Sequence, residues 1–365
     1  MNKMEALAVI VVSFTVMQLF IALVNLIFRQ KMKTAATEEC LVSVLIPARN
    51  EENNITNILT DLQAQNYNNI EIIVFDDLST DSTSEKVALM ALHDPRIRLI
   101  KSEGLPTGWL GKNYACHSLA EKARGKYLLF LDADVRVKGD LIKTNVARAE
   151  LLNAGLVSIF PKQEMSGAGE YLTVPLMKYI LLTLLPLVLV RKSHYASLSA
   201  ANGQFMLFSS EVYNDLRPHL KMRDRKAEDI EISRYLKENN IRIACLASDK
   251  NISCRMYHSF SEAVDGFAKN VNMFFGDSYI LAFLFWLITT LGFIPVLCFY
   301  GVTGLILFII VMAIIRTAVS TAGDEPVLIN LILMPLQNLS LLIIIARSIQ
   351  LKYQKQYIWK GRKLD

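Results

Sequence analysis

Two aspartates, Asp132 and Asp134, follow directly after a short apolar segment and constrain the fold of this chain more than any other feature. The segment at residues 126–131 comes after a glycine turn and is typical of a buried strand. Unpaired buried charge is costly, so the two carboxylates must lie at the end of that strand with a partner. They indicate either a divalent cation with substrate phosphates or a turn or helix-cap pair, and the remaining sequence must decide.

The two acids belong to a stretch in which strands and helices alternate. Predicted strands lie at residues 41–46, 70–75, 97–100 and 126–131, and predicted helices at residues 50–64, 82–92 and 111–124. This alternation predicts a mostly parallel sheet with helices on both faces, in which ligands bind outside the carboxyl ends of the strands. Three of these strands end in polar or acidic residues, at 49–51, 76–77 and 132–134. Three such endings on one sheet edge favour a ligand site.

Apolar segments flank the α/β region. Residues 5–28 are long enough to span a bilayer, and we interpret them as an anchor rather than a cleaved signal. The basic residues 29–33 follow, so the positive-inside rule predicts an external amino terminus and a cytoplasmic α/β domain. Three further apolar segments lie at residues 280–298, 301–320 and 327–346. The chain is therefore predicted to be an integral protein of the cell (inner) membrane.

The charge pattern of the carboxyl-terminal region conflicts with three full spans. Three crossings would place the basic residues 352–363 outside, where the charge rule does not expect them. Either one segment is re-entrant, with Pro326 and Pro335 as candidate breaks, or the rule fails here. A further apolar segment at residues 171–190 contains Lys178 and lies between two groups of acids that must share one site, so we expect an interfacial or re-entrant helix.

These patterns predict four parts. They are a transmembrane anchor at residues 1–33, a cytoplasmic catalytic domain at 38–275, transmembrane or re-entrant helices at 279–350 and a basic tail at 351–365. The net charge of +5 gathers near apolar segments, which suits an anionic membrane surface rather than nucleic acid. The five cysteines have no metal-binding spacing and suit a reducing compartment.

Four motifs carry a resemblance to a known family. Residues 46–51, 76–82, 132–134 and 227–229 have the order and approximate spacing of inverting family 2 glycosyltransferases with the GT-A fold, over about residues 40–275. Residues 108–115 and 359–362 are similar to the membrane-bound branch that glucosylates carotenoid acids or accompanies hopanoid genes. Ceramide glucosyltransferase is a more distant relative.

The resemblance implies a nucleotide site. It assigns the loop after the first strand, with Pro47, Ala48, Asn50 and Glu51, to the nucleoside. It assigns Asp77, with Asp76 nearby, to the base edge. A carboxylate accepts the imide N–H of uracil well, so we expect UDP rather than a purine nucleotide. Helix capping is the alternative role for these two aspartates.

The resemblance also implies the residues of the transfer reaction. Asp134 would be the direct ligand of Mg²⁺ or Mn²⁺, and Asp132 would contact metal, ribose or water. Lys112 lies beside the expected diphosphate and could neutralise phosphate charge, and its alternative role is that of a solvated lysine at a helix start. Asp229, next to Glu228, would be the general base, and the alternative role of this pair is a favourable interaction with a helix dipole.

The remaining expected contacts are less specific. Asn202 and Gln204 precede a predicted strand and are expected near the sugar. The Q-x-x-R-W motif of processive synthases is missing after Asp229, and Arg255, or Trp359 and Arg362, are expected to contact the phosphates or sugar instead. The missing motif favours transfer of one sugar over polymerisation.

The resemblance therefore implies an inverting, metal-dependent enzyme. It would move one hexose, in the first place glucose from UDP-glucose, to a lipid such as a carotenoid or hopanoid. A polyprenyl-phosphate sugar synthase or a glycan-extending synthase is the first alternative. A catalytically inactive membrane scaffold that keeps the fold is the second.

Overall fold

The computed structural model describes residues 3–29 and 39–353 in full, together with the backbone of residues 354, 358–359 and 362–363. The described strands are β1 (Val42–Ala48), β2 (Ile70–Asp76), β3 (Ile97–Lys101), β4 (Tyr127–Leu131), β5 (Val135–Val137), β6 (Leu156–Ile159), β7 (Lys162–Gln163), β8 (Phe205–Ser209), β9 (Ile243–Leu246), β10 (Ile252–Cys254), β11 (Ile358–Trp359) and β12 (Arg362–Lys363). The α-helices are α1 (Lys3–Ile27), α2 (Ile55–Gln63), α3 (Thr83–His93), α4 (Gly111–Lys122), α5 (Leu141–Leu152), α6 (Ala168–Thr173), α7 (Pro175–Leu184), α8 (Leu187–Lys192), α9 (Ser210–Leu216), α10 (Pro218–Lys221), α11 (Glu228–Glu238), α12 (Phe260–Ala268), α13 (Tyr279–Leu291), α14 (Phe293–Ala322), α15 (Val327–Ile332) and α16 (Met334–Gln354).

Seven strands form the central sheet, in the order β3-β2-β1-β4-β8-β6-β9. All neighbours in this sheet are parallel except β8, which runs antiparallel to β4 and β6. Helices pack on both faces because alternate side chains of each strand point to opposite sides. On β1, Val44 and Ile46 face the core that contains α2, whereas Leu45 faces the core that contains α4. The predicted mostly parallel α/β sheet is confirmed.

The helix expected from residue 50 begins later, at Ile55. Asn50 has a φ of 52°, in the left-handed region, so the chain cannot enter a helix there. Its side-chain oxygen accepts a hydrogen bond from Thr80 N at 2.9 Å, which ties the loop after β1 to the loop after β2. The polar residues at 50–54 therefore build a loop at the sheet edge before α2 starts.

A second, three-stranded sheet in the order β5-β10-β7 lies beside the Asp132–Asp134 motif. The strand β5 begins directly after Asp134 and runs antiparallel to β10. In this pairing Cys254, the last residue of β10, lies opposite Val135. A cysteine that is 120 residues away in the sequence is thereby placed next to the two aspartates.

The apolar segment at residues 171–190 lies in three short helices, α6, α7 and α8, rather than one. Breaks occur before Pro175 and at Pro186, because proline cannot donate a helical hydrogen bond. Lys178 is buried, and its Nζ donates to the carbonyl of Gly323 at the end of α14, at 2.8 Å. The single helix predicted here is wrong, and the segment packs between the α/β domain and the carboxyl-terminal helices.

Among the described residues, three helical segments are long and apolar enough to cross a membrane, at Lys3–Ile27, Tyr279–Ala322 and Met334–Tyr353. The second segment bends sharply at Gly301, which has a φ of 66° and a ψ of −165°. A Cβ on Gly304 would lie 3.8 Å from Val296 Cγ1, although eight residues of a straight helix would separate them by about 12 Å. The segment therefore folds back on itself at this glycine.

The folded-back segment packs against α1. A Cβ on Gly292 would meet Val11 Cγ1 at 2.8 Å, in the amino-terminal half of α1. Further along the chain, Asp324 Oδ1 lies 3.9 Å from Nη2 of Arg29, which follows α1. The second half of α14 thus ends at the same end of α1 that leads into the α/β domain.

The last apolar segment is broken between α15 and α16, next to Pro335. The helix α16 packs against α12, where Arg347 Nε lies 2.6 Å from Asp265 Oδ1, and against α13, where Trp286 donates to the carbonyl of Asn338 at 2.9 Å. Other side chains of α16, such as Leu336, remain exposed. This helix therefore has one face on the protein and one apolar face outward.

Candidate active site

A cluster of charged side chains lies at the carboxyl ends of the central strands. Lys112, in the first turn of α4, lies 2.8 Å from Asp132 Oδ1 and 2.9 Å from its Oδ2 through its Nζ. The same nitrogen is 3.4 Å from Glu228 Oε1, at the start of α11. The structure therefore brings together three residues that are far apart in the sequence, around one ammonium group.

Asp229 completes this cluster through the backbone of Gly203. Its Oδ2 accepts a hydrogen bond from Gly203 N at 2.9 Å, and its Oδ1 accepts one from Ile230 N at 2.8 Å. A Cβ on Gly203 would lie 3.0 Å from Lys112 Nζ and 3.3 Å from Glu228 Oε1. Only a residue without a side chain leaves the lysine and both acids undisturbed at this point.

The environment of the cluster shifts the pKa values of its members. Burial alone would lower the pKa of Lys112, but the neighbouring carboxylates, that of Asp132 first, raise it well above its usual value. Burial raises the pKa of Glu228 to about 7 and also raises the pKa of Asp229, while the charge of Lys112 opposes both shifts. Raised carboxyl pKa values and a fixed cation are typical of a site that handles protons and anionic groups.

Asp134 faces a different set of partners from Asp132. Its Oδ1 is buried and has no hydrogen-bond partner in the described part of the chain. Burial, together with the charge of Asp132, raises the pKa of Asp134 to about 6. A buried carboxylate oxygen without a partner fits a site for a cation.

The candidate metal ligands do not form a closed cage. Within residues 3–29 and 39–353, no three His, Cys, Asp or Glu side chains lie close enough together to hold a metal ion by themselves. Mg²⁺ and Mn²⁺ that bind nucleotide phosphates need only one or two carboxylates, because phosphates and water fill the other positions. The carboxylates of Asp134 and Asp132 fit this requirement, and that of Asp132 is paired with Lys112 in the structure.

The expected nucleoside residues form a connected pair of loops. Pro47 and Ala48 end β1, and the carbonyl of Ala48 accepts a hydrogen bond from Asp77 N at 2.8 Å. Glu51 N donates to Thr83 Oγ1 at 2.8 Å, and Asp77 is buried at the end of β2. These residues share one edge of the sheet with Asp132.

Asp76 is held within the loop that leads from β2 to α3. Its Oδ1 accepts from Ser79 N at 3.1 Å and its Oδ2 from the hydroxyl of Ser84 at 2.9 Å. Both carboxylate oxygens therefore close the loop that leads into α3.

Several residues that were expected to contact the substrate lie away from the carboxylate cluster or outside the residues that the structure describes. Arg255 pairs with Glu170 at 2.9 Å and with the hydroxyl of Ser166, so its guanidinium is engaged there rather than with Lys112 or the aspartates. Asn202 Oδ1 accepts from Gln204 N at 3.0 Å and stabilises the turn before β8. The side chains of Trp359 and Arg362 lie outside the described residues.

Sequence reasoning missed two residues of the site. Gly203 was not singled out, although a glycine between two polar residues next to a strand is a signal for close backbone approach. Cys254 was set aside with the other cysteines, yet its Sγ accepts a hydrogen bond from Gln204 Nε2 at 2.9 Å. Gln204 itself is buried.

The fold matches that of a known nucleotide-sugar enzyme. Over 97% of this chain and 100% of the other, the structure superposes on the mannosyltransferase PcManGT from Pyrobaculum calidifontis, solved in complex with GDP-Man and Mn²⁺, with a TM-score of 0.60. The identity is 17%, so the likeness is one of fold. The class defined by this architecture is the GT-A-like fold, which confirms the predicted fold class.

A family model matches part of the sequence. Residues 43–217 match the model of Glycosyl transferase family 2, and the chain thus carries a family 2 glycosyltransferase domain. It is 25% identical to the 4,4'-diaponeurosporenoate glycosyltransferase of Staphylococcus haemolyticus (strain JCSC1435) over 255 residues, which cover 67% of this chain and 64% of that protein.

Two further relatives match shorter regions. The glycosyltransferase GlyG of Streptococcus pneumoniae is 30% identical over 117 residues, which cover 32% of this chain and 38% of that protein. The 4,4'-diaponeurosporenoate glycosyltransferase of Staphylococcus aureus (strain USA300) is 29% identical over 142 residues, or 36% of this chain and 34% of that protein. In each case the chain spans less than two thirds of the relative's length.

Proposed function

We propose that this protein is a membrane-integrated inverting glycosyltransferase that moves a single hexose from a UDP-hexose, in the first place UDP-glucose, to a lipid acceptor. The observation that carries the proposal is the convergence of Lys112, Asp132 and Asp229 at the carboxyl edge of the sheet, beside Asp134. A nucleotide sugar requires separate groups for its phosphates and for the reacting sugar. This edge provides both.

The donor would lie across the loops after β1 and β2. Asp77 suits the imide N–H of uracil because a carboxylate accepts hydrogen bonds and cannot donate them when ionised. Asp134 and Asp132 would hold Mg²⁺ or Mn²⁺, which supplies positive charge for the departing diphosphate when it is bound. Lys112 is poised to exchange its carboxylate partners for phosphate oxygens.

Asp229 would act as the general base. It removes the proton from the acceptor hydroxyl while the acceptor oxygen forms its bond to the anomeric carbon and the bond to UDP breaks. One displacement from the face opposite the leaving group inverts the anomeric centre. The hydrogen bonds from Gly203 N and Ile230 N hold the carboxylate in position for this step.

The arrangement of the apolar helices beside the α/β domain favours a lipid as the acceptor. The segments α6–α8 connect the site to the carboxyl-terminal helices, since Tyr171 O accepts a hydrogen bond from Gln337 at 2.7 Å and Lys178 bonds to Gly323. An acceptor that enters along these apolar helices would meet the domain from the membrane side. The two carotenoid glycosyltransferases among the relatives agree with such an acceptor.

We also infer a topology that removes the conflict in the charge pattern. The segment Tyr279–Ala322 would leave the cytoplasmic side and return to it after the bend at Gly301. The helix α16 would then lie in the interface, with Arg347 bound to Asp265 of the domain. The basic carboxyl-terminal tail would remain on the cytoplasmic side, as the positive-inside rule requires.

The test is reconstitution of the purified full-length protein in lipid bilayers with UDP-glucose, GDP-mannose or UDP-N-acetylglucosamine and a lipid extract. We expect UDP release and one lipid species heavier by a single hexose in the mass spectrum, with UDP-glucose alone. A ladder of products would favour glycan extension. Failure to release UDP with any lipid, despite tight UDP binding, would favour the scaffold.

A further inference from the structure

A cavity of about 890 Å³ lies between the α/β domain and the ends of the apolar helices, and the proposed mechanism does not use it. Its wall is formed by the carboxyl-terminal end of α1, by α5, by the loop from β9 to β10 and by the end of α14. The described residues that line it include none of the charged cluster around Lys112. Its volume lies in the range of about 300–1,000 Å³ that is usual for small-molecule sites.

Hydrogen bonds between these elements hold the wall in place. Asn25, in the last turn of α1, donates through its Nδ2 to the carbonyl of Leu185 at 2.9 Å, in the segment between α7 and α8. The hydroxyl of Ser248, in the loop from β9 to β10, donates to the carbonyl of Ala322 at 3.2 Å, at the end of α14. The cavity is therefore a feature of the packing between the domain and the apolar helices, and it does not depend on one loop.

One arginine in this wall has unused hydrogen-bond donors. The Nε and Nη2 atoms of Arg29 are buried and have no hydrogen-bond partner among the described residues. Asp324 Oδ1 lies 3.9 Å from Nη2, which is too far for a hydrogen bond. Buried guanidinium donors without a partner cost free energy, and an anionic ligand that accepts from them would remove this cost.

The wall carries both signs of charge in equal number. Arg148 of α5 is 2% exposed and lines the cavity together with Arg29 and Lys250. Three carboxylates line the same cavity, those of Asp140, Asp249 and Asp324. A ligand with negative charge alone would be attracted by the cations and repelled by the aspartates. A ligand that carries both a phosphate and an ammonium group would find a partner for each.

We propose that this cavity binds the headgroup of a membrane phospholipid, with Arg29 on the phosphate, and that the aspartates make it select an ethanolamine headgroup. The inference rests on the membrane-integrated form of the proposed function, because the ends of α1 and α14 would then lie at the level of the lipid phosphates. A guanidinium group matches the oxygen atoms of a phosphate with two parallel hydrogen bonds. The ammonium group of ethanolamine donates hydrogen bonds to carboxylates, which the methylated ammonium group of choline cannot do.

The experiment is a lipid titration of the delipidated full-length protein in detergent, read by native mass spectrometry. The probes are phosphatidylethanolamine, phosphatidylcholine and phosphatidylglycerol with identical acyl chains. We expect one molecule of phosphatidylethanolamine to bind at least about 10-fold more tightly than either of the other lipids, which is the factor that one charge-assisted hydrogen bond supplies. Inorganic phosphate is added as a competitor, and its displacement of the lipid at an equal concentration would overturn a lipid headgroup as the ligand.

Two variants test the two charged groups of the headgroup separately. Arg29→Gln should weaken phosphatidylethanolamine binding by about 10-fold or more. The matched control Arg191→Gln removes an arginine from the last turn of α8, outside the cavity, and should leave the binding unchanged. Asp324→Asn should shift the preference towards phosphatidylglycerol because it removes one negative charge from the wall. Asparagine tolerates the left-handed φ of 54° at this position, so this variant also serves if Arg29→Gln does not fold.

The outcomes separate this inference from the proposed function. Equal lipid binding in the wild type and Arg29→Gln, an equal loss in Arg191→Gln or an unchanged preference in Asp324→Asn would overturn the inference. UDP release from UDP-glucose is measured on the same preparations. Wild-type UDP release without selective lipid binding would overturn this inference alone, and selective lipid binding without UDP release would overturn the proposed function alone.

Discussion

Gly203→Ala should lower the catalytic efficiency of this protein without lowering the stability of its fold. An added Cβ would lie 3.0 Å from Lys112 Nζ, 3.3 Å from Glu228 Oε1 and 3.6 Å from Asp229 Oδ2. An ordinary contact between such atoms is about 3.5 Å or longer, so the ammonium group must move by about 0.5 Å. A displacement of about 1 Å can cost a hundredfold in rate, so we expect a loss of roughly 10-fold in kcat/KM.

The fold should tolerate this change. The closest atom is the far end of a flexible lysine side chain, and Gly203 does not have a φ in the left-handed region. Alanine reduces the freedom of the unfolded chain and so stabilises by about 0.4–1 kcal/mol, which offsets a crowding cost of about 1 kcal/mol. We therefore expect the thermal unfolding midpoint to stay close to that of the wild type.

The assay is steady-state UDP release with the reconstituted protein, paired with a thermal unfolding measurement. Gly167→Ala is the matched control, because its Cβ would also lie 3.0 Å from an acidic oxygen, Glu170 Oε1, away from the Lys112 cluster. In a Lys112→Met background, Gly203→Ala should cause little further loss, since it acts through the ammonium group. Wild-type kcat/KM in Gly203→Ala, or an equal loss in Gly167→Ala, would refute the reasoning.

Four further outcomes are expected. Asp229→Asn should lower kcat by at least about 100-fold while UDP affinity, measured by calorimetry, changes little; normal turnover would remove Asp229 as the base. Asp134→Ala should abolish the strengthening of UDP binding by Mn²⁺, which an unchanged Mn²⁺ dependence would contradict. In Lys112→Met, the acid limb of the pH profile of kcat/KM should move to higher pH. The charge of Lys112 opposes the rise in the pKa of the Asp229 carboxyl, and this carboxyl must be ionised to act as a base. An acid limb at the wild-type pH would exclude this coupling. Gly169→Ala should lower the unfolding midpoint, at a cost of about 1–3 kcal/mol, because its Cβ would lie 2.7 Å from the backbone nitrogen of Phe260, and an unchanged midpoint would show that α6 and α12 yield easily.

The sheet could be predicted from the sequence because its signals are local. Each parallel strand is buried on both faces and reads as a continuous apolar run, and the acids that follow it mark its carboxyl end. The start of α2 was misplaced because the left-handed conformation of Asn50 depends on Thr80, which is 30 residues away. The breaks at Pro175 and Pro186 were readable in principle, but apolarity alone suggested one continuous helix.

The geometry of the site depends on long-range pairing that no spacing reveals. Lys112 and Glu228 meet only because α4 and α11 begin at the same sheet edge. Cys254 lies opposite Val135, the residue after Asp134, only because β10 pairs antiparallel with β5. A motif-based resemblance predicts which acids react, but it says nothing about a cysteine outside the motifs.

The contacts around Arg255 link the apolar helices to the edge of the sheet that carries Asp134. Arg255 follows Cys254 directly and pairs with the buried carboxylate of Glu170 in α6. The next residue, Tyr171, accepts a hydrogen bond from Gln337 of α16. A displacement of α16 or α6 by an entering lipid would therefore act, through one ion pair and one residue of chain, on the strand that carries Cys254. Because the Arg255 side chain is 41% exposed, this ion pair is partly solvated, so the linkage would be weaker than one through a buried pair.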